Sequence, residues 1–349
     1  MPDPIIKRLG FFTRLLDEVG PSDRFTLATE QIVRAEALGF DSAWVAQHHF
    51  NRSEGGLPAP LVFLSHVAAH TRRIRLGTGI VTLSLEDPVR VAEDAAVLDL
   101  LSGGRLELGV GSGGTPSSFA AFGRDSAERG AIFERHLDRL RTAVSGSPLD
   151  GKDTLYPPAF ALTERLWQAT FSVNGGRRAG QVGDGLMLSR TQPRPADQPQ
   201  ATLPDIQHPI VDAYLAALPA EIAPRIVASR TLFVADDRAE ARRYAEVGLQ
   251  RAVAGLKRAG HTFAGDSLDE LIAATDTHVG TVEEVIASLS RDTVLPRVSD
   301  VVFQVHSVDP PPALILRSIE LIATKVAPAL GWTPAAPNAA AAPRFAIVR

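Results

Sequence analysis

The feature that most constrains this chain is the regular succession of short apolar runs and amphipathic stretches over its first 190 residues. Apolar runs of strand type occupy residues 8–12, 42–45, 74–78, 105–110, 168–173 and 186–189. Stretches with helical spacing fill 24–38, 61–70, 89–101, 128–144 and 176–182. In the first of these, Phe25, Ala28, Ile32, Ala35 and Leu38 recur on one face, and Gly39 stands where a helix-ending glycine belongs. Pro88 marks the first turn of the third, and Ser102-Gly103-Gly104 ends it. Strand then helix with short connections makes a parallel sheet covered by helices. Six such strands before residue 190 favour a closed barrel over an open sheet. Residues 225–234 and 300–306 supply two more strands, helical 238–259 and 282–291 separate them, and a helix at 313–326 closes the barrel.

The expectation is an α/β protein, a (β/α)8 barrel with insertions in its βα loops, over residues 1–332. Residues 333–349, mostly Ala and Pro at their start, read as a solvated C-terminal tail. Residues 191–209 are rich in Pro and Gln and read as a long loop, which in a compact domain is functional or mobile. The chain length of 349 residues suits one barrel. A formal charge of −4 and the lack of a Lys/Arg block offer no field for nucleic acid or anionic lipid. Cysteine is absent, which removes disulfides, thiolate metal sites and a cysteine nucleophile. The first residues are too briefly apolar for a signal peptide and no apolar run is long enough to span a membrane, so a cytoplasmic protein is expected.

In such a barrel the active site gathers at the C-terminal ends of the strands. The segment GFDSAWVAQHHF, residues 39–50, delivers His48 and His49 directly after the second strand. Successive side chains on an extended segment point to opposite sides, so one ring is expected to face the mouth and the other to pack. Metal binding, structural hydrogen bonding and proton chemistry are all open to the pair. No HxH, HExxH or Asp-rich pattern accompanies it, so no metal is expected, and proton chemistry by His48 is the favoured reading. GVGSGG at 109–114 follows the fourth strand and is either a ligand approach or a plain tight turn. As a dinucleotide fingerprint it lacks the expected acid about 20 residues on. VNGGRRAG at 173–180 places Asn174, Gly175 and Gly176 at a helix start, with Arg177 and Arg178 in what reads as its first turn. Cations there oppose the helix dipole, and a bound phosphate removes the conflict. Phe12 and Phe122 either line an apolar substrate pocket or belong to the core.

These segments resemble the bacterial luciferase-like flavin-dependent monooxygenase superfamily. The resemblance runs from about residue 7 to 332 and is densest in GFDSAWVAQHHF and in RIRLGTGIVTLSLEDPVRVAEDAAVLDLLSGGRLELGVGSG, residues 73–113. RLGFF and GDGLMLSRTQPRP are shared with a branch of FMN-dependent members. The resemblance implies a TIM-type barrel that holds reduced FMN, activates O2 as a C4a-hydroperoxide and oxygenates a small organic substrate. It implies His48 as the catalytic histidine, with Gln47 in place of the usual glutamate leaving that imidazole less basic. It also implies a non-proline cis peptide at Gly79-Ile80 beneath the flavin ring. Ser112 replaces an arginine that contacts the flavin phosphate in relatives, which leaves Arg177 or Arg178 to supply the charge. Gly111 stands where luciferase has its reactive cysteine. Ser189 and Arg190, at the sixth strand end, are expected against flavin or substrate. A separate flavin reductase and a homodimer follow from the same resemblance. The alternatives are an F420-dependent hydride-transfer oxidoreductase and a flavin-binding protein without turnover.

Overall fold

The computed structural model describes residues 5–195, 197–258, 263, 265–305 and 307–333. The Ala/Pro-rich tail expected at 333–349 lies, beyond its first residue, outside the described residues. The barrel strands are β1 Arg8–Thr13, β2 Ser42–Val45, β3 Arg75–Thr78 and β4 Leu106–Gly111 in one half. The other half is β5 Leu166–Ala169, β6 Gly185–Leu188, β7 Ile226–Val234 and β8 Asp300–Gln304. Each pairs in parallel with its successor, and β8 returns to β1 through Val301↔Leu9 and Phe303↔Phe11, which closes a TIM barrel. The flanking helices are α1 Pro21–Ala37, α2 Pro60–His70, α3 Pro88–Ser102 and α4 Arg129–Val144. They continue with α5 Val173–Gln181, α6 Leu203–Ala217, α7 Arg238–Arg258, α8 Val282–Leu289 and α9 Pro312–Leu321.

Side chains alternate along each strand between the barrel interior and the layer beneath the helices. Trp44 and Trp167 meet edge to face at 5.7 Å inside the barrel, and Phe12, Met187, Val227 and Val302 complete that inner cluster. The N-terminal end of the barrel is closed by charge pairs, Arg8 with Asp300 at 2.8 Å and Arg75 with Glu107. The lower barrel is therefore closed, and the opposite mouth is the end of the barrel open to a ligand. No helix among the described residues is long and apolar enough to cross a membrane.

Three features differ from the sequence-based expectation. The fifth strand is shorter than 168–173, because Ser172 caps a helix that starts at Val173; its hydroxyl accepts from the Gly175 amide at 3.1 Å. The expected loop at 191–209 is helical from Leu203 onward. Thr202 and Asp205 form a reciprocal capping box, and Pro209, which reads locally as a breaker, lies inside α6. The rest of that loop is tied down by an ion pair between Arg194 and Asp276. The third difference is an added strand, Thr277–Gly280, paired on the outer edge of β7. It belongs to an excursion after β7, in which Phe233, Ala235, Ala241, Ala245, Leu249, Leu271 and Val308 form a second small core.

Candidate active site

The segment after β2 is sewn to both neighbours: the Ala46 amide donates to the Thr13 carbonyl, that of Gln47 to Ile80, and that of His48 to Leu57 at 2.9 Å. His48 continues the inward register of Trp44 and Ala46, both of which lie in the barrel cluster. Its ring therefore faces the mouth. His49 packs instead, with its ring edge-on to Phe122 at 5.0 Å and in contact with Phe50. A cleft lined by Gln47, His48, His49, Thr82, Thr115 and Phe119, among others, opens beside them. The described residues contain no group of three His, Cys, Asp or Glu side chains able to hold a metal.

Burial and the nearby charges of Arg14, His49 and Arg190 hold the His48 pKa down to about 3, well below the usual 6.5. Its Nδ1 lies 3.9 Å from Glu54 Oε2, too far for a hydrogen bond. His48 is thus a neutral imidazole at neutral pH, which donates from one nitrogen and accepts at the other. The reduced basicity expected from Gln47 is present in direction, but burial is its first cause. Gln47 itself braces the loop. Its amide nitrogen donates to Glu86 Oε1 at 2.7 Å and to the Pro58 carbonyl, while its oxygen accepts from the Thr82 amide at 2.6 Å. A glutamate cannot donate, so the amide here matches a carboxylate supplied by Glu86.

The Gly79-Ile80 peptide is cis. Beyond it the Ile80 side chain lies across the end of β4, so close that a Cβ on Gly111 would sit 2.6 Å from Ile80 Cδ1. Glycine at 111 lets Ile80 lie there without moving. Ile80, with Phe12, Ala169 and Met187, makes an apolar ledge on top of the barrel core. Ser112 is half-buried at the next position of the β4 end. Ser189, at the end of β6, is half-buried with its hydroxyl 3.2 Å from that of Thr191.

At α5 the expectations divide. Gly175 fits tightly against Thr170, whose hydroxyl leaves no room for a Cβ. Gly176 and Gly180 face α6 instead, where a Cβ on Gly176 would meet the Ile210 carbonyl oxygen at 2.6 Å and one on Gly180 would overlap that of Tyr214. Gly176, expected at a phosphate-binding helix start, thus admits a helix instead, and Gly180 does the same one turn on. Arg177 is exposed near the helix start, with Nη1 donating to Asn174 Oδ1 at 3.1 Å. Neither arginine is in the first turn as expected: the helix begins at Val173, which puts Arg177 fifth and Arg178 in the last turn. Arg178 points down the helix, donating to Gln168 and Glu134 at 3.0 Å with its guanidinium over the Phe133 ring. One helical turn of about 3.6 residues separates the free amides at Val173 and Asn174 from Arg178, enough to remove it.

The mouth therefore has two sides. His48, the ledge, Ser112 and the start of α5 follow one another along the ends of β2 to β5. Along β6, β7, β8 and β1 stand Arg190, Thr231, Gln304 and Arg14, of which sequence patterns single out only Arg190. Arg14 continues the inward period of Gly10 and Phe12, a signal visible once that period is followed past Phe12.

Comparison with known proteins gives a consistent picture. A family model described as luciferase-like monooxygenase matches residues 10–297. The chain is 31% identical to 4-hydroxyprotoasukamycin monooxygenase of Streptomyces nodosus subsp. asukaensis over 72% of each chain. It is 36% identical to the uncharacterized protein y4vJ of Sinorhizobium fredii over 46% of this chain and 48% of that one, so it spans about half the length of that curated relative. An F420-dependent glucose-6-phosphate dehydrogenase of Amycolatopsis mediterranei matches 37% of each chain at 37% identity. Among solved structures, the monooxygenase RslO1 from Streptomyces bottropensis superposes with a TM-score of 0.76 and 27% identity, covering 92% of this chain and 99% of that one. The oxygenating constituent of 3,6-diketocamphane monooxygenase of Pseudomonas putida, in complex with FMN, shares the fold at a TM-score of 0.74 and 18% identity over 95% of this chain and all of that one.

Proposed function

This chain belongs to the luciferase-like monooxygenase family, and on that premise we propose that it oxygenates a small organic substrate with reduced FMN and O2, the FMN being supplied by a separate reductase. The observation that carries this reading is the pairing of an apolar ledge, Phe12, Ile80, Ala169 and Met187, with a neutral His48 at the same mouth. A flat isoalloxazine ring would rest on the ledge, and its phosphate would reach the start of α5. There the Val173 and Asn174 amides, the Ser172 hydroxyl and exposed Arg177 offer donors and positive charge. Ser112, half-buried at the end of β4, would offer FMN a hydroxyl in place of a guanidinium.

Reduced FMN supplies the two electrons that activate O2. The protein's part is to bind, orient and exclude water. His48, uncharged at neutral pH, holds a hydrogen-bonding proton on one nitrogen and an acceptor site on the other, both suited to the proton movements of oxygenation. The second core after β7 and the Arg194–Asp276 pair hold in place the segments that follow β7 and β6.

An F420-dependent hydride transfer is the second reading, favoured by the partial match to F420-dependent dehydrogenases. Thermal shift separates the two, because a ligand that binds only the native state raises Tm. FMN or FMNH2 is expected to raise Tm more than F420 at equal concentration. Replacement of His48 by Ala is expected to lower oxygenation by about 10²-fold or more while leaving FMN affinity nearly unchanged. An unaltered rate removes His48 from the chemistry.

A further inference from the structure

The side of the mouth that the cofactor reading leaves unused is rich in unspent donors. Arg14 is half-buried just past β1; one nitrogen donates to the Glu54 carbonyl, and its Nε is buried with no hydrogen-bond partner. Arg190, half-buried past β6, donates from Nη1 to Thr231 Oγ1 at 2.9 Å. Thr231 pairs across the sheet with Gln304, whose Nε2 is likewise buried and unpartnered. Gln304 sits two residues after Val302 and shares its inward register.

Structural arginines elsewhere in this protein look different. Arg105 donates to Ser102, Thr71, Ile74 and Ala68, and Arg230 to Asp292, Ser229 and Gln207. Arg14 and Arg190 form no ion pair among the described residues. The neighbouring carboxylates are engaged elsewhere: Glu54 accepts from Asn51 and Thr115, and Asp309 pairs with Arg251 at 3.2 Å. Burial lowers the proton affinity of both guanidiniums, and the Arg14 charge adds to it at Arg190, which falls to about 9; the Glu54 and Asp309 carboxylates offset part of this at Arg14, and Asp309 part of it at Arg190. Two like charges, one of them with its own Nε unpartnered, and the unpartnered Gln304 amide beside them thus have no ion-pair partner among the described residues.

We propose that Arg14, Arg190, Thr231 and Gln304 bind an oxyanion group on the organic substrate, a carboxylate or phosphate, so that the substrate of this enzyme is an organic anion. The identification of that anion as the substrate rests on the oxygenase reading; anion binding itself does not. Guanidinium forks match the planar pair of oxygens of such groups. Held there, the rest of the molecule extends toward His48 and the ledge, so the anionic end fixes which carbon is presented.

The test uses flavin-free protein and calorimetry with benzoate, octanoate and phenyl phosphate against benzamide and benzyl alcohol. At least one anion is expected to bind about tenfold or more tighter than the neutral compounds, a difference of ~1.4 kcal/mol. Its affinity is expected to fall at least about tenfold in Arg14→Gln and in Arg190→Gln, with partial recovery in Arg190→Lys. FMN affinity is expected to stay within about twofold in all three variants. Equal binding of anions and neutral compounds, or no anion binding, overturns the proposal. So does a loss of FMN affinity in the arginine variants, which assigns those side chains to the cofactor. Anion binding by a protein that fails to bind FMN leaves the pocket standing and removes the oxygenase reading instead.

Discussion

Two neighbouring residues, Gln47 and His48, show how side-chain type encodes both support and chemistry. Gln47 donates to Glu86 and accepts from the Thr82 amide, a combination available to an amide and not to a carboxylate. Gln47→Glu sets two carboxylates in contact and strips the Pro58 carbonyl of its donor; urea unfolding is expected to show a loss of about 1–3 kcal/mol at pH 7. Unchanged stability would show that the amide is not needed. For His48, the sign of the pH effect follows from its depressed pKa. Between pH 6.5 and about 3 the unfolded chain binds a proton that the folded chain rejects, so this group erodes stability as pH falls through that window. His48→Gln is therefore expected to lose about 1–2 kcal/mol less stability than the parent on going from pH 7 to 5. Parallel stability curves would mean that the imidazole titrates normally. The role of His48 as the mouth-facing ring was legible from strand alternation. The extent of its loss of basicity was not, because burial, the first cause, and the Arg14 and Arg190 charges depend on segments far apart in sequence.

At the level of elements, α5 carries the sharpest lesson. Its composition pointed to a phosphate site, and its start is free to be one, yet Gly176 and Arg178 serve packing. Gly176→Ala drives a methyl to 2.6 Å from the Ile210 carbonyl, and a loss of about 1–3 kcal/mol is expected from chemical unfolding. Arg177→Ala is expected to weaken FMN several-fold and to leave riboflavin unaffected, since only FMN carries the phosphate. Arg178→Ala is expected to reduce stability and to affect both flavins equally, through loss of its contacts to Glu134, Gln168 and Phe133. The reverse pattern in fluorescence titrations would exchange the two assignments. Which of two adjacent arginines faces a ligand depends on helix phase, and phase depends on where the cap lies. Reading the strand through Val173 misplaced that cap. The start of α6 was hidden by the Pro- and Gln-rich composition of 191–209, although Thr202 and Asp205 carry a capping-box pattern that begins the helix.

For the whole molecule, the (β/α)8 architecture was readable because each barrel strand is a compact apolar run and each following helix has an apolar face. Parallel pairing and closure follow from that alternation with little input from individual contacts. The excursion after β7 was not readable as a unit. Its core joins Phe233 to Val308 across some 75 intervening residues, and its extra strand at Thr277–Gly280 is too short to stand out. That excursion also carries Arg251, which ties α7 to Glu18 and Asp309 at the rim. The result is one mouth with two halves, an apolar ledge leading to a helix start on one side and unpaired cations on the other. The measurement that tests this account most directly is anaerobic titration of the purified protein with FMNH2 and with reduced F420, followed by admission of O2 with candidate organic anions present. The account predicts tighter binding of FMNH2 and O2-dependent formation of an oxygenated product. Preferential binding of F420 with no oxygen incorporation would contradict it.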